Sequence, residues 1–415
     1  IEPDSAAAIH SRLLADFSLS LDEGLALIQE QHPQVTMDSL RDFASKHYVE
    51  IMEIDGVKRM HKKSPRNINL LNPAYNGGWK MRGATASPKR VAYADSVLRC
   101  AKGELADGGK HRVRMKFEID VPFDSALIGD TLRVWMPYPM EADRQTGVTL
   151  AGASRDYIIS TPAQSMHSTI YMEAPVDTAG NHFEYEAEFT ACGAYVAPER
   201  ILADIKPYDM ESEEYQRHTA FDNPHIIPLD SLAKTIVGGE TNPYKCSELV
   251  YDYIIRRYPW AGAREYSTIP CMPQYVMDEG HGDCGQVSLL YISLMRSLGI
   301  PARWESGWML HPGEKNLHDW AEVYFEGIGW VPVDVSFGRY INCPDKEIEK
   351  FYSTGIDSHR FVANKGVSGA FYPAKKYVRS ETVDAQLGEV ECTRGNLFYP
   401  AWDCKFTIIS QTPIK

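Results

Sequence analysis

The chain has 415 residues, 44% of them hydrophobic and 24% charged, which gives room for two to four domains of ordinary globular composition. Lys plus Arg number 43 against 56 Asp plus Glu, for a net charge of −13, and no basic run stands out, which argues against nucleic acid as a partner. The most apolar stretch, around Val287–Leu298, is broken by Ser293, Arg296 and Ser297 and falls short of the roughly 20 residues a transmembrane segment needs.

Residues 1–110 read as a helical N-terminal segment followed by an irregular linker. Ile9, Leu13, Leu14 and Phe17 form one apolar stripe, and Leu21, Leu25, Ala26 and Ile28 a second. Thr36 is expected to cap a third helix carrying Leu40, Phe43, Tyr48, Ile51 and Met52. From 63 to 110 the chain is rich in Pro, Gly, Asn and Ser and shows no period.

Residues 111–210 change to period two and predict a β-sandwich domain. Val113, Met115, Phe117 and Ile119 alternate with Arg114, Lys116 and Glu118. Leu132, Val134 and Met136 repeat the pattern, as do Phe183, Tyr185, Ala187 and Phe189 against Glu184, Glu186 and Glu188. Residues 211–345 read as an α+β core, and 346–415 as a β-rich C-terminal element that includes a strand at Phe406–Ile409. The eight cysteines contain no CxxC pair. Cys392 and Cys404 flank a short Gly-containing stretch, and their bridging is a matter for geometry.

The chemistry gathers in the core. Val287, Leu290, Tyr291, Leu294, Met295 and Leu298 recur at helical spacing, with Gly299-Ile300-Pro301 as the stop. Asp283 is then the N-cap and Cys284 the first helical residue, where free N–H groups and the helix dipole are expected to favour the thiolate and to hold an oxyanion.

Downstream, Ala321, Val323 and Phe325 make one face of a strand, and His318, Trp320, Glu322 and Tyr324 the other. Trp330 to Val335 resumes a strand with Val331, Val333 and Val335 on one face. Setting apolar face against apolar face fixes the hairpin so that Phe325 pairs with Gly329, and His318 then shares a face with Asp334. The arrangement predicts a hydrogen bond from His318 to Asp334 and a contact from the other ring nitrogen to Cys284, as a nucleophile–base–acid triad requires.

Gly282-Asp283-Cys284, the helix end Leu298-Gly299-Ile300-Pro301-Ala302-Arg303, His318-x-Trp320-x-Glu322 and Gly329-Trp330-x-x-x-Asp334 together resemble the transglutaminase-like superfamily. Leu132 to Pro139 resembles the β-sandwich that precedes this core in many bacterial, often exported, members. The resemblance implies a papain-like fold with a Cys-His-Asp triad at Cys284, His318 and Asp334. It also implies acyl transfer on amide or peptide bonds through a thioester, a peptide or protein substrate, and a periplasmic, cell-surface or secreted location.

Trp260 or Gln274 would complete the oxyanion hole by analogy, and Trp320 and Trp330 would flank the site. Lacking an Asp/Glu-rich cation loop, the chain is expected to hydrolyse rather than cross-link amines. The alternatives are an amine-accepting cross-linker and a non-catalytic binding or scaffolding protein. His281, Asp283, Cys284 and Cys271 have no second matched pair to complete a zinc site, so neither metal nor cofactor is expected.

Overall fold

The structure, a computed structural model, describes residues 1–2, 5–75, 99–103, 109–339 and 350–414. Helices Ser5–Asp16, Leu21–Gln29 and Met37–Ser45 follow the three stripes, and the Thr36 hydroxyl accepts from Ser39 N as the cap of the third. The third helix is shorter than its stripe suggests. His47, at φ 58°, breaks it, and Ile51 and Met52 begin a hairpin of Ile51–Ile54 with Val57–Met60. The two-residue turn Asp55-Gly56 has φ of 53° and 76°, the left-handed pair that a tight hairpin demands.

One more helix, Ser64–Leu71, closes this N-terminal unit, which docks on the segment leading to Cys284. Asn67 both accepts from Gly262 N and donates to Gly262 O, each at 2.9 Å. Lys63 Nζ donates to Ala263 O at 2.7 Å, and Asp16 Oδ2 accepts from Glu265 N at 2.6 Å. Most of the Pro/Gly-rich linker lies outside the described residues.

Two antiparallel sheets form the sandwich. One runs Gly395–Leu397, Glu389–Cys392, Thr131–Pro137, Thr169–Pro175, Ile158–Ile159. The other runs Asp403–Pro413, Lys110–Val121, Asn181–Cys192, Gln145–Ala153. Val113, Phe117 and Ile119 meet Val134, Met172 and Val390 in the shared core. The alternate residues Arg112, Arg114 and Lys116 pair across the surface with Glu188, Glu186 and Glu184.

The C-terminal residues are therefore no appendage. Asp403–Pro413 covers the free edge of Lys110–Val121, and Glu389–Cys392 that of Thr131–Pro137. Cys392 and Cys404 lie on opposite sheets and both are free; Cys343 lies outside the described residues.

In the core, a four-stranded antiparallel sheet runs Gly329–Val333, Glu314–Phe325, Ala302–His311, Arg360–Asn364. Phe325 pairs with Gly329 and Ala321 with Val333, the register that burial dictates. Ala321, Val323, Phe325, Val331 and Val333 pack against the helix Cys284–Ser297, together with the helices Pro243–Arg257 and Met272–Glu279. Trp308, Leu310 and Phe361 belong instead to the sandwich core, so one end of this sheet rests on the sandwich. Among the described residues no helix is long and apolar enough to cross a membrane.

Candidate active site

Cys284 opens its helix as expected. The Asp283 carboxylate accepts from Gln286 N at 3.2 Å and Gln286 Oε1 accepts from Asp283 N at 3.0 Å, a closed capping box. The Tyr266 hydroxyl also donates to Asp283 Oδ1, so the cap is fixed from two sides.

The thiol itself behaves otherwise than its helix position implies. Cys284 Sγ donates to Asp319 Oδ2 at 3.3 Å, and the Asp319 backbone N–H reaches the same sulfur. Burial first, then the Asp319 and Asp283 carboxyls, hold the thiol well above its ordinary range. Enclosure and two acidic neighbours outweigh the helix terminus, and the expected lowering is overturned.

Asp319 is held up in turn by burial and by the neighbouring acids Asp384 and Asp283, while Gln386 Nε2 donates to its Oδ1 at 2.6 Å. Burial pushes Asp384 up to about 6, and its carboxyl hydrogen-bonds both Ser306 and Asp319. A half-buried thiol and two buried carboxyls thus lie together where the protonated forms are favoured.

The other face of the same strand carries the imidazole. His318 Nε2 donates to Asp334 Oδ2 at 2.7 Å, the bond the hairpin register predicts. Arg360 donates to that oxygen at 3.0 Å, and Ser336 N and Phe337 N fill Oδ1 at 3.0 Å each. Burial works to raise the Asp334 carboxyl, but the charges of His318 and Arg360 outweigh it and hold the group below its ordinary value. Burial lowers His318, and Asp334 opposes this only in part. Phe337 lies 4.7 Å from the imidazole ring and Trp320 stacks at 5.9 Å.

Among the described residues the thiol hydrogen-bonds to Asp319, and no hydrogen bond joins it to His318. The reason is strand alternation. The helix rides on the Ala321/Val323 face, where Asp319 points, while His318 points to the opposite face. One residue along the strand separates the thiol's partner from the imidazole.

The remaining candidates divide. Trp320 is buried beside His318, its Nε1 donating to Glu305 at 2.6 Å and the Arg360 guanidinium 5.3 Å from its ring centre. Trp330 shares that face but sits at the far end of the hairpin, where it donates to Glu214 at 2.5 Å and carries Arg303 at 4.0 Å over its ring. Gln274 is not brought to the thiol. It is exposed, and its amide donates to Asp278 one helical turn on. Trp260 faces Arg66 of the N-terminal unit, 5.8 Å from the ring centre.

Sequence reasoning missed Asp319, Asp384, Tyr266 and Arg360. For Asp319 a signal existed: it is the carboxylate that interrupts the apolar face Ala321, Val323, Phe325.

The transglutaminase-like superfamily model matches residues 230–335. An uncharacterised protein of Haemophilus influenzae is 29% identical over 158 residues, 31% of this chain and 40% of that protein. The uncharacterised protein YebA of Bacillus subtilis is 34% identical over 149 residues, 31% of this chain and 20% of that protein. Each match spans less than half the relative's length.

Among solved structures, a candidate cysteine protease from Cytophaga hutchinsonii is similar over 73% of this chain and 91% of its own, with 14% identity and a TM-score of 0.47. The periplasmic domain of TgpA from Pseudomonas aeruginosa covers 62% of this chain and 94% of its own, with 13% identity and a TM-score of 0.25. Residues 230–335, which contain Cys284, His318 and Asp334, are the part of this chain that matches the transglutaminase-like superfamily.

Proposed function

We propose that the chain is a cysteine-dependent acyl-transfer enzyme that hydrolyses amide or peptide bonds through a thioester. The observation that carries the reading is the buried 2.7 Å bond from His318 to Asp334, on a strand whose next residue holds the Cys284 thiol. The superfamily match over the same residues supports it.

In this mechanism the thiol exchanges Asp319 for His318, and its proton passes to the imidazole as sulfur bonds the carbonyl carbon. His318 returns the proton to the leaving amine as the C–N bond breaks, and water then cleaves the thioester with His318 as base. Asp334 keeps the imidazole in its working tautomer, and N–H groups of the first helical turn receive the oxyanion. A peptide or protein substrate and an exported location accompany this reading.

A thiol-directed electrophile built on a peptide amide tests it. Labelling of native wild-type protein at Cys284, with loss in His318→Ala, is the expected result. An unlabelled wild type would mark a binding or scaffolding protein. Covalent incorporation of an added primary amine in place of hydrolysis would mark a cross-linker.

A further inference from the structure

On the far side of Arg360 from Asp334, two histidines and an aspartate converge. His311 ends the strand Ala302–His311, and Asp357 and His359 lie two residues apart just ahead of and around Arg360. Their potential ligand atoms all lie within 4.8 Å of one another. His311 Nε2 is 3.0 Å and His359 Nδ1 is 3.9 Å from the same oxygen, Asp357 Oδ1. The three residues are 2%, 6% and 0% exposed.

The geometry points to a divalent transition-metal site of the zinc class, with His311, Asp357 and His359 as ligands. Donors about 2.0–2.2 Å from a tetrahedral zinc ion stand about 3.4 Å from one another, and the two observed separations bracket that value. Two imidazoles and a carboxylate suit such an ion. Calcium or magnesium would seek about six or more oxygens and would find one carboxylate.

The ring nitrogens argue the same way. His359 Nδ1 is enclosed and makes no hydrogen bond among the described residues. Its Nε2 lies 3.8 Å from Cys100 Sγ. In the tautomer in which Nε2 donates to this sulfur, the Nδ1 lone pair is aimed at the cluster, as an outer partner arranges for a metal-bound histidine.

Charge gives a third, independent reason. Arg360 is shared between two buried carboxylates, at 3.0 Å from Asp334 and 2.7 Å from Asp357. With neutral imidazoles, the form in which they bind metal, Asp334, Asp357 and Arg360 together carry one negative charge in excess among the described residues. A bound cation offsets it where burial makes an unpaired charge costly.

The full chain, stripped with chelator and dialysed against Zn²⁺ or Co²⁺, is expected to retain one ion and to melt at a higher temperature when loaded. The Co²⁺ form should show tetrahedral visible bands without a thiolate charge-transfer band. His311→Ala and His359→Ala should each lose at least tenfold in affinity (about the lower end of what a ligand contributes) together with the metal-dependent rise in Tm. X-ray absorption of the zinc-loaded wild type, which depends on no variant's folding, should show imidazole and oxygen scatterers and no sulfur.

Absence of a stoichiometric ion, or sulfur ligation, would overturn the site. So would retention of the ion in both histidine variants with its loss in His182→Ala, since Glu118, His182 and Glu184 form the competing cluster. Cys284→Ala is expected to keep the ion, so this site stands or falls apart from the acyl-transfer reading.

Discussion

Cys284 Sγ donates at 3.3 Å to Oδ2 of Asp319, the residue that follows His318 on the same strand. The thiol's resting partner is thus a carboxyl whose own protonated form is favoured by burial. Asp319→Asn removes the acid that, after burial, does most to hold the thiol up. The expected outcome is faster alkylation of Cys284 at neutral pH, with the pH–rate profile moved to lower pH. A profile that stays in place would show that Asp319 does not govern the thiol.

The triad reading makes its own demands. Cys284→Ser should fold as the wild type does and lose turnover, because a hydroxyl is far harder to ionise than a thiol. Asp334→Asn should keep the geometry but present the wrong hydrogen-bonding partner to His318 Nε2, lowering turnover by about three to four orders of magnitude. Steady-state hydrolysis of a peptide-amide substrate measures both.

Arg360 is the buried cation between Asp334 and Asp357, and Arg360→Met removes the full positive charge that both carboxylates share. A loss of about 3–5 kcal/mol is expected in urea titration, the usual cost of breaking a buried pair. The pH dependence follows from the sign of the Asp334 shift. Its folded pKa lies below the unfolded value, so its contribution is present above about pH 4 and is lost as pH falls through the folded pKa. In Arg360→Met that acid-side loss should move to higher pH.

Glu265 shows the opposite sign. Burial, with Asp16 beside it, pushes its carboxyl up to about 7. The folded chain therefore holds a proton there that the unfolded chain has released, and stability falls as pH rises from about 4.5 to about 7. Glu265→Gln should flatten this slope in denaturant titrations run across that range. An unchanged slope would place the titration elsewhere.

Gly285 leaves no room for a side chain. A Cβ there would stand 2.4 Å from the Tyr266 hydroxyl oxygen, 2.7 Å from Asp319 Oδ2 and 3.1 Å from the Trp304 ring. Gly285→Ala is expected to cost about 1–3 kcal/mol through overpacking. It should also slow labelling of Cys284, since the groups displaced are those that hold the cap and the thiol.

Local pattern carried the site further than it carried the fold. The pairing of Phe325 with Gly329, and with it the His318–Asp334 bond, follows from period-two alternation and a short loop, both visible within eighteen residues' reach of each other. Asp283 and Cys284 were legible because a cap precedes a helical stripe. The direction of the thiol was not, because it depends on Asp319 and Asp384 arriving from other parts of the chain. Arg360 and Asp357 have no local signature at all; they matter through a strand that joins the sheet from beyond residue 350. The assignment of Ile51 and Met52 failed because one left-handed residue, His47, overrides a continuing apolar stripe.

The partner that Lys110–Val121 needs along its outer edge is the last strand of the sequence, with Phe117 set against Phe406. A ribosome working at about 5–20 residues per second delivers that strand on the order of tens of seconds after the first. Through that interval the apolar row from Val113 to Ile119 lacks part of its cover, and the nascent chain presents an open template to chaperones. Interrupting synthesis before residue 389 would yield a polypeptide that contains Cys284, His318 and Asp334 and yet cannot close the sandwich on which their sheet rests.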